Sequence, residues 1–145
     1  SFFNMSTVIP LPVGFGWVVA SGIASVLTAW VLSNRVGAAR KKHGVDYPTM
    51  YDNAKPAFNA VQRGHQNMLE SHYAVLWLMT IGGLKHPLGS AIAGAIWSLG
   101  RVVYALGYET GTPKNRMYGS LIFYPAFFTT IGFSVSFMGT LLGYW

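Results

Sequence analysis

Cysteine is absent from these 145 residues, so neither a disulfide framework nor a cysteine nucleophile is available. Acidic residues are scarce: four Asp/Glu stand against ten Lys/Arg, for a formal net charge of +6. Charged residues of both signs make up only 10%, against 52% hydrophobic and 15% aromatic, with a mean hydropathy of +0.36. A soluble domain of this length would carry far more charge; the balance points to one domain of an integral membrane protein. In a soluble protein a pI near 9.8 would suggest nucleic acid. Here the cations crowd into a few short segments, which favours membrane topology and leaves nucleic acid out as a partner. There is no phosphate loop, no Gly-rich dinucleotide fingerprint and no serine elbow. Ser1 to Asn34 holds no Lys or Arg, so the basic start of a signal peptide and the arginines of a transit peptide are missing. The first apolar span is expected as a retained membrane helix.

What is there is hydrocarbon in four stretches. Spans of about 13–33, 58–84, 87–108 and 118–142 are each about 20 residues or longer, enough for a ~30 Å bilayer core. The expected fold is all-α, a single four-helix transmembrane domain over 1–145. Pro87 suits a first helical position, and Pro125 predicts a kink inside the last helix. Only Lys85, His86 and a few small residues separate spans two and three, which predicts an antiparallel hairpin. Small residues four apart (Ser21 and Ser25, Ala91 and Ala95, Gly139 and Gly143) let helix backbones approach closely, and internal packing accounts for them without an oligomer interface.

The cations sort by side. Arg35, Arg40, Lys41, Lys42 and Lys55 follow span one, Lys114 and Arg116 follow span three, and only Lys85 lies at the other face. The positive-inside rule places both basic connections in the cytosol and both termini across the membrane. Span two opens on Arg63-Gly64-His65-Gln66-Asn67-Met68-Leu69-Glu70, which aligns a cation, an amide and a carboxylate on one helical face at i, i+4 and i+7. Ionisable groups at a membrane helix are costly unless paired or used; a snorkelling, self-paired helix start is the plainer account of Arg63. In span three, Arg101, Tyr104 and Tyr108 also share a face. Arg101 needs a partner among apolar residues, and Glu70 is the natural one. The tyrosines suit either a site or an interfacial belt. Lys41 and Lys42 read as a stop-transfer cluster that attracts anionic lipid. His65 and His72 lack a third ligand, so no metal is expected.

Arg63-x-His65-Gln66-Asn67-x-x-Glu70, with Gly100-Arg101-Val102-Val103-Tyr104-x-x-Gly107-Tyr108-x-Thr110-Gly111-x-Pro113, resembles the family of membrane-associated proteins in eicosanoid and glutathione metabolism (MAPEG). The type 3 microsomal glutathione transferase branch is most similar. Ala39-Arg40-Lys41-Lys42, Tyr47-Pro48, Tyr51, Phe58-Asn59-x-Val61-Gln62-Arg63 and Gly82-Gly83-x-x-His86-Pro87 extend the match, which runs from about Arg40 to Arg116. The resemblance implies a four-helix protomer in a homotrimer, with glutathione at each subunit interface on the cytosolic side. Positions matching Arg40, Arg63, His65, Asn67, Glu70, Arg101, Tyr104 and Tyr108 then form the glutathione site, and Arg116 stabilises the thiolate as the catalytic residue. Ser71 stands where leukotriene-C synthase has a tyrosine, and the turn before Arg116 is one residue longer than in that synthase.

The function so implied is a membrane glutathione transferase and peroxidase, in the endoplasmic reticulum or the mitochondrial outer membrane. Its other partners would be membrane lipid and a lipophilic electrophile or lipid hydroperoxide. The competing reading is a non-catalytic scaffold or an accessory subunit of a larger membrane complex, since the family has a non-enzymatic member, the five-lipoxygenase-activating protein. Confinement of the ionisable groups to one end argues against a channel.

Overall fold

Proline and glycine set the element boundaries. In the computed structural model, which describes residues 11–144, Gly14 at φ +87° precedes α1 (Phe15–His43), and Gly44 at φ +62° ends it. A left-handed residue past the last turn costs glycine no Cβ clash, which is why helices stop there. α2 (Pro56–Gly83) and α3 (Pro87–Glu109) each start on a proline, where the missing N–H costs nothing. A 3₁₀ turn (Pro113–Asn115) then leads into α4 (Arg116–Leu141). Residues 1–10 and Trp145, which belong to the expected single domain 1–145, lie outside the described residues.

The chain is thus an all-α bundle of four helices. α1, α3 and the stretch Pro113–Leu141 are long and apolar enough to cross a membrane. α2 matches them in length, but it carries Arg63, His65, Asn67 and Glu70 between its start and its middle. α1 corrects one expectation: it runs for 29 residues, about 44 Å at 1.5 Å per residue. Arg35, Arg40, Lys41 and Lys42 therefore ride on its last turns and not in a connection. The turn between α2 and α3 is as tight as expected, with Lys85 N–H and His86 N–H both donating to the Gly82 carbonyl at 3.2 and 2.8 Å.

α3 is the central helix. It packs against α1, α2 and α4, and 56% of its apolar window is buried against 28% and 22% for α1 and α4. Lipid tails are as apolar as leucine, so such helices hold together through close packing and polar contacts. Glycine supplies the closeness: a Cβ on Gly119 would lie 2.3 Å from the Tyr104 nitrogen, and one on Gly64 would lie 2.9 Å from the Ala105 Cβ. Trp97, Tyr104 and Phe123 fill the core with Met68, Val75 and Leu32. Of the small-residue pairs, Ser21 and Ser25 are both buried, whereas Ala95 is exposed and Gly143 lies beyond α4. Pro125 sits inside α4, where Thr129 Oγ1 donates to its carbonyl at 2.9 Å.

Candidate functional site

The approach of α2 to α3 at Gly64 sets the site. One turn along, Asn67 and Ser71 reach Arg101, which is only 5% exposed. Arg101 Nη1 donates to Asn67 Oδ1 at 2.7 Å and Nη2 donates to Ser71 Oγ. Its guanidinium carbon lies 3.7 Å from the Phe123 ring centroid and 4.9 Å from that of Trp97, so aromatic faces spread the charge that neutral partners leave uncompensated. Asn67 passes the network outward: Nδ2 donates to Glu70 Oε2 at 3.0 Å, and Arg63 Nη1 donates to Glu70 Oε1 at 2.8 Å.

The pairing differs from the expected Arg101–Glu70 bridge. Glu70 lies two turns from Arg63 on one stripe of α2 and takes that arginine, while Asn67 and Ser71 on the adjoining flank take Arg101. The Arg63–Glu70 pair is open, with side chains 41% and 44% exposed, and contributes no more than about 1 kcal/mol to the fold. Beside the network a recess of about 210 Å³ opens, walled by Asn67, Glu70, Ser71 and Arg101 on one side and by Phe123, Tyr124 and Phe127 of α4 on the other. Cation, carboxylate and amide thus face an aromatic wall.

From Arg101 a line of rings leads to the end of the bundle. Tyr104 meets Tyr108 edge-on at 5.3 Å, and the Arg116 guanidinium carbon lies 5.4 Å from the Tyr108 centroid. Tyr104 is buried and also packs edge-on against Phe123 at 5.6 Å; it is a core residue, so the interfacial-belt reading fails for it. Gly107 explains the Arg116 placement, since a Cβ there would lie 2.8 Å from the Arg116 nitrogen. Arg116 Nη1 donates to the Pro113 carbonyl at 2.8 Å, which holds the side chain in its turn.

Two expected residues stand apart. Buried Arg40 lies 4.2 Å over the Tyr47 ring and 5.1 Å from that of Phe58, in a cleft of about 590 Å³ formed by the end of α1 and the segment after it. Its Nη1 reaches the Asp46 carbonyl at 3.4 Å, and its Nε is buried without a hydrogen bond. That cleft and the Arg101 recess share no residue. His65 is half-buried on α2, with no side-chain hydrogen bond among the described residues. Sequence reasoning missed Ser71 as a partner of Arg101, because it weighed that serine only as a missing tyrosine. It also missed the Arg35–Glu109 ion pair, which ties α1 to the end of α3. Tyr124 and Phe127 gave no signal beyond hydrophobicity.

The family model for MAPEG matches residues 17–137. An uncharacterized protein of Synechocystis sp. is 41% identical over 92 residues, which cover 61% of this chain and 64% of that protein. The matched region thus falls just short of two thirds of the relative's length.

Proposed function

Because the chain belongs to the MAPEG family, we propose that it is a membrane-bound glutathione transferase and peroxidase. The observation that carries this reading is the Arg63–Glu70–Asn67–Arg101 network beside its recess. Glutathione bears two carboxylates and one ammonium group. Arg63 suits a carboxylate through its open guanidinium edge, Glu70 suits the ammonium, and Arg101 holds Asn67 in place for the peptide amides. Tyr104 and Tyr108 continue the wall toward Arg116.

One chain does not bring Arg40 to this network, and the family's homotrimer supplies what is missing. In it, the Arg40 cleft of one protomer faces the α2–α3 recess of the next, and His65 joins the same contact. Arg116 is the catalytic residue of this proposal. A free cysteine thiol has a pKa near ~8.5, and a neighbouring guanidinium raises the thiolate fraction at neutral pH. The sulfur then attacks an epoxide carbon, breaking its C–O bond so that the alkoxide takes a proton. Alternatively it adds to the β-carbon of an enone, breaking the C=C π bond so that the enolate takes a proton at its α-carbon. Either way a C–S bond forms. With a lipid hydroperoxide the thiolate attacks the terminal oxygen, the O–O bond breaks and the lipid alkoxide leaves and is protonated to the alcohol. A second glutathione thiol then displaces water from the sulfenic acid to give the disulfide. The positive-inside pattern puts this end of the bundle in the cytosol, at the endoplasmic reticulum or the mitochondrial outer membrane.

Titration of detergent-solubilised protein with glutathione, followed by thiolate absorbance, tests the proposal. Saturable absorbance growth with one site per chain or fewer supports it; absence of binding overturns it. The scaffold reading draws on one contact, the Arg116–Pro113 hydrogen bond, which occupies part of the guanidinium. Glutathione binding without any thiolate signal would select that reading. A single cysteine at Lys114, in a chain with none of its own, tests sidedness through labelling in sealed vesicles of known orientation.

A further inference from the structure

At the end of the bundle opposite the arginine network, Lys85 pairs with no acidic side chain among the described residues. All four acidic side chains, Asp46, Asp52, Glu70 and Glu109, lie elsewhere: two in the α1–α2 connection, one at the middle of α2 and one at the end of α3. The half-buried Lys85 ammonium donates to Thr140 Oγ1 at 2.7 Å and to the Ser136 carbonyl at 3.3 Å. Both acceptors are neutral. Among the described residues, a second copy in the same orientation brings another Lys85 to this face and no acidic side chain.

Beside it, His86 Nε2 lies 2.9 Å from Ser136 Oγ, and the His86 ring is 4.9 Å from that of Phe133. Phe133 in turn forms the near wall of a groove of about 340 Å³ between α3 and α4, continued by Gly89, Ile92 and Ile96 on one side and by Pro125 and Thr129 on the other. The Thr129 hydroxyl is turned to its own helix, at the Pro125 carbonyl, so the groove presents hydrocarbon. From Gly89 to Ile96 it follows about two turns of α3, ~10 Å. A charged head position and an apolar channel therefore adjoin through His86 and Phe133, where the α2–α3 turn meets the membrane interface.

We propose that this is a binding site for an anionic phospholipid, with the phosphate at Lys85 and one acyl chain in the α3–α4 groove. Charge complementarity selects the class: a zwitterionic headgroup adds a cation where the protein already has one unbalanced. The uncapped start of α3 at Pro87 adds partial positive charge at the same place. The site is independent of the glutathione reading.

The test uses the intact solubilised protein and two photoreactive phospholipids with a diazirine in the acyl chain, one anionic and one phosphatidylcholine, with adducts mapped by peptide mass spectrometry. The anionic probe is expected to label the groove segments 89–96 and 125–133 about fivefold more than the choline probe, the ratio one lysine near a membrane surface supplies. Lys85→Gln should erase that ratio and Lys85→Arg retain it. Thr129→Trp, which fills the groove from its open edge, should lower labelling by both probes. Equal labelling of the wild-type groove by the two lipids overturns the proposal and needs no variant. Loss of the anionic preference in millimolar inorganic phosphate also overturns it, as the mark of an ion site without a lipid.

Discussion

Arg101 and Arg63 belong to one hydrogen-bonded chain, yet their surroundings are opposite. Arg101 is 5% exposed, held by the neutral acceptors Asn67 and Ser71 and faced by aromatic rings. Arg63 keeps 41% of its side chain exposed and meets a carboxylate as open as itself. The difference separates holding the bundle from meeting a ligand. A buried guanidinium is expensive to place and difficult to move, so it fixes Asn67 and Ser71 and through them the pitch of α2 on α3. An open pair exchanges its partner at little cost, which is what a charged guest requires.

The sharpest way to break this contrast is to remove Arg101. Arg101→Ala leaves Asn67 and Ser71 without their donor and empties space against Phe123 and Trp97. It should destabilise the protein by about 1–3 kcal/mol for each acceptor left unsatisfied, measured by thermal unfolding in detergent, and glutathione binding should go with it. Unchanged thermal stability would show that the buried arginine holds nothing. Gly64→Val comes next. Its Cβ would start 2.9 Å from Ala105 Cβ and 3.0 Å from the Ala105 Cα, a clash that backbone has to relieve, at about 1–3 kcal/mol. Glutathione affinity should drop because α2 and α3 part where Asn67 meets Arg101; full affinity in this variant would detach the site from the crossing.

Arg63→Ala should invert the pattern. The fold should lose less than about 1 kcal/mol, while glutathione affinity by calorimetry falls by a free energy of about 2–5 kcal/mol, as for a truncated charge contact in a desolvated interface. Intact affinity would return Arg63 to a self-paired, snorkelling helix start.

Much of this was legible in the chain because proline and glycine mark where helices turn. Pro87 was read as the start of a helix and the short Lys85–His86 link as a hairpin turn, and both stand in the structure. The end of α1 was misread for a physical reason. Hydropathy falls at Arg35, but arginine and lysine are good helix formers, and the helix runs on through Gly37 to stop at Gly44, which takes the left-handed conformation. At the site, spacing identified which residues share a stripe of α2, but not how that stripe is rotated toward α3. The Gly64–Ala105 contact decides the rotation, and it gives Arg101 to Asn67 and Ser71 and leaves Glu70 for Arg63. Arg40 was legible as a cation and illegible as a buried one, since its cover comes from Tyr47 in the segment after α1 and Phe58 in the first turn of α2, which only the fold brings together.

Arg116 tests the contrast at its weakest point, because it is neither buried like Arg101 nor paired with an acid like Arg63. Its one hydrogen bond goes to the Pro113 carbonyl, and its guanidinium rests near Tyr108. Removing it should leave the fold almost untouched and glutathione affinity little changed. If it acts on the thiolate, Arg116→Ala lowers kcat and raises the pH at which the bound thiol ionises, followed by thiolate absorbance. An interaction made mainly in the transition state has this signature. Arg116→Lys should recover part of the loss, since a point charge serves a sulfur anion even without the planar fork. A merely structural arginine would move stability and affinity together and leave the thiol titration in place. Full turnover in Arg116→Ala would strip this residue of its catalytic role.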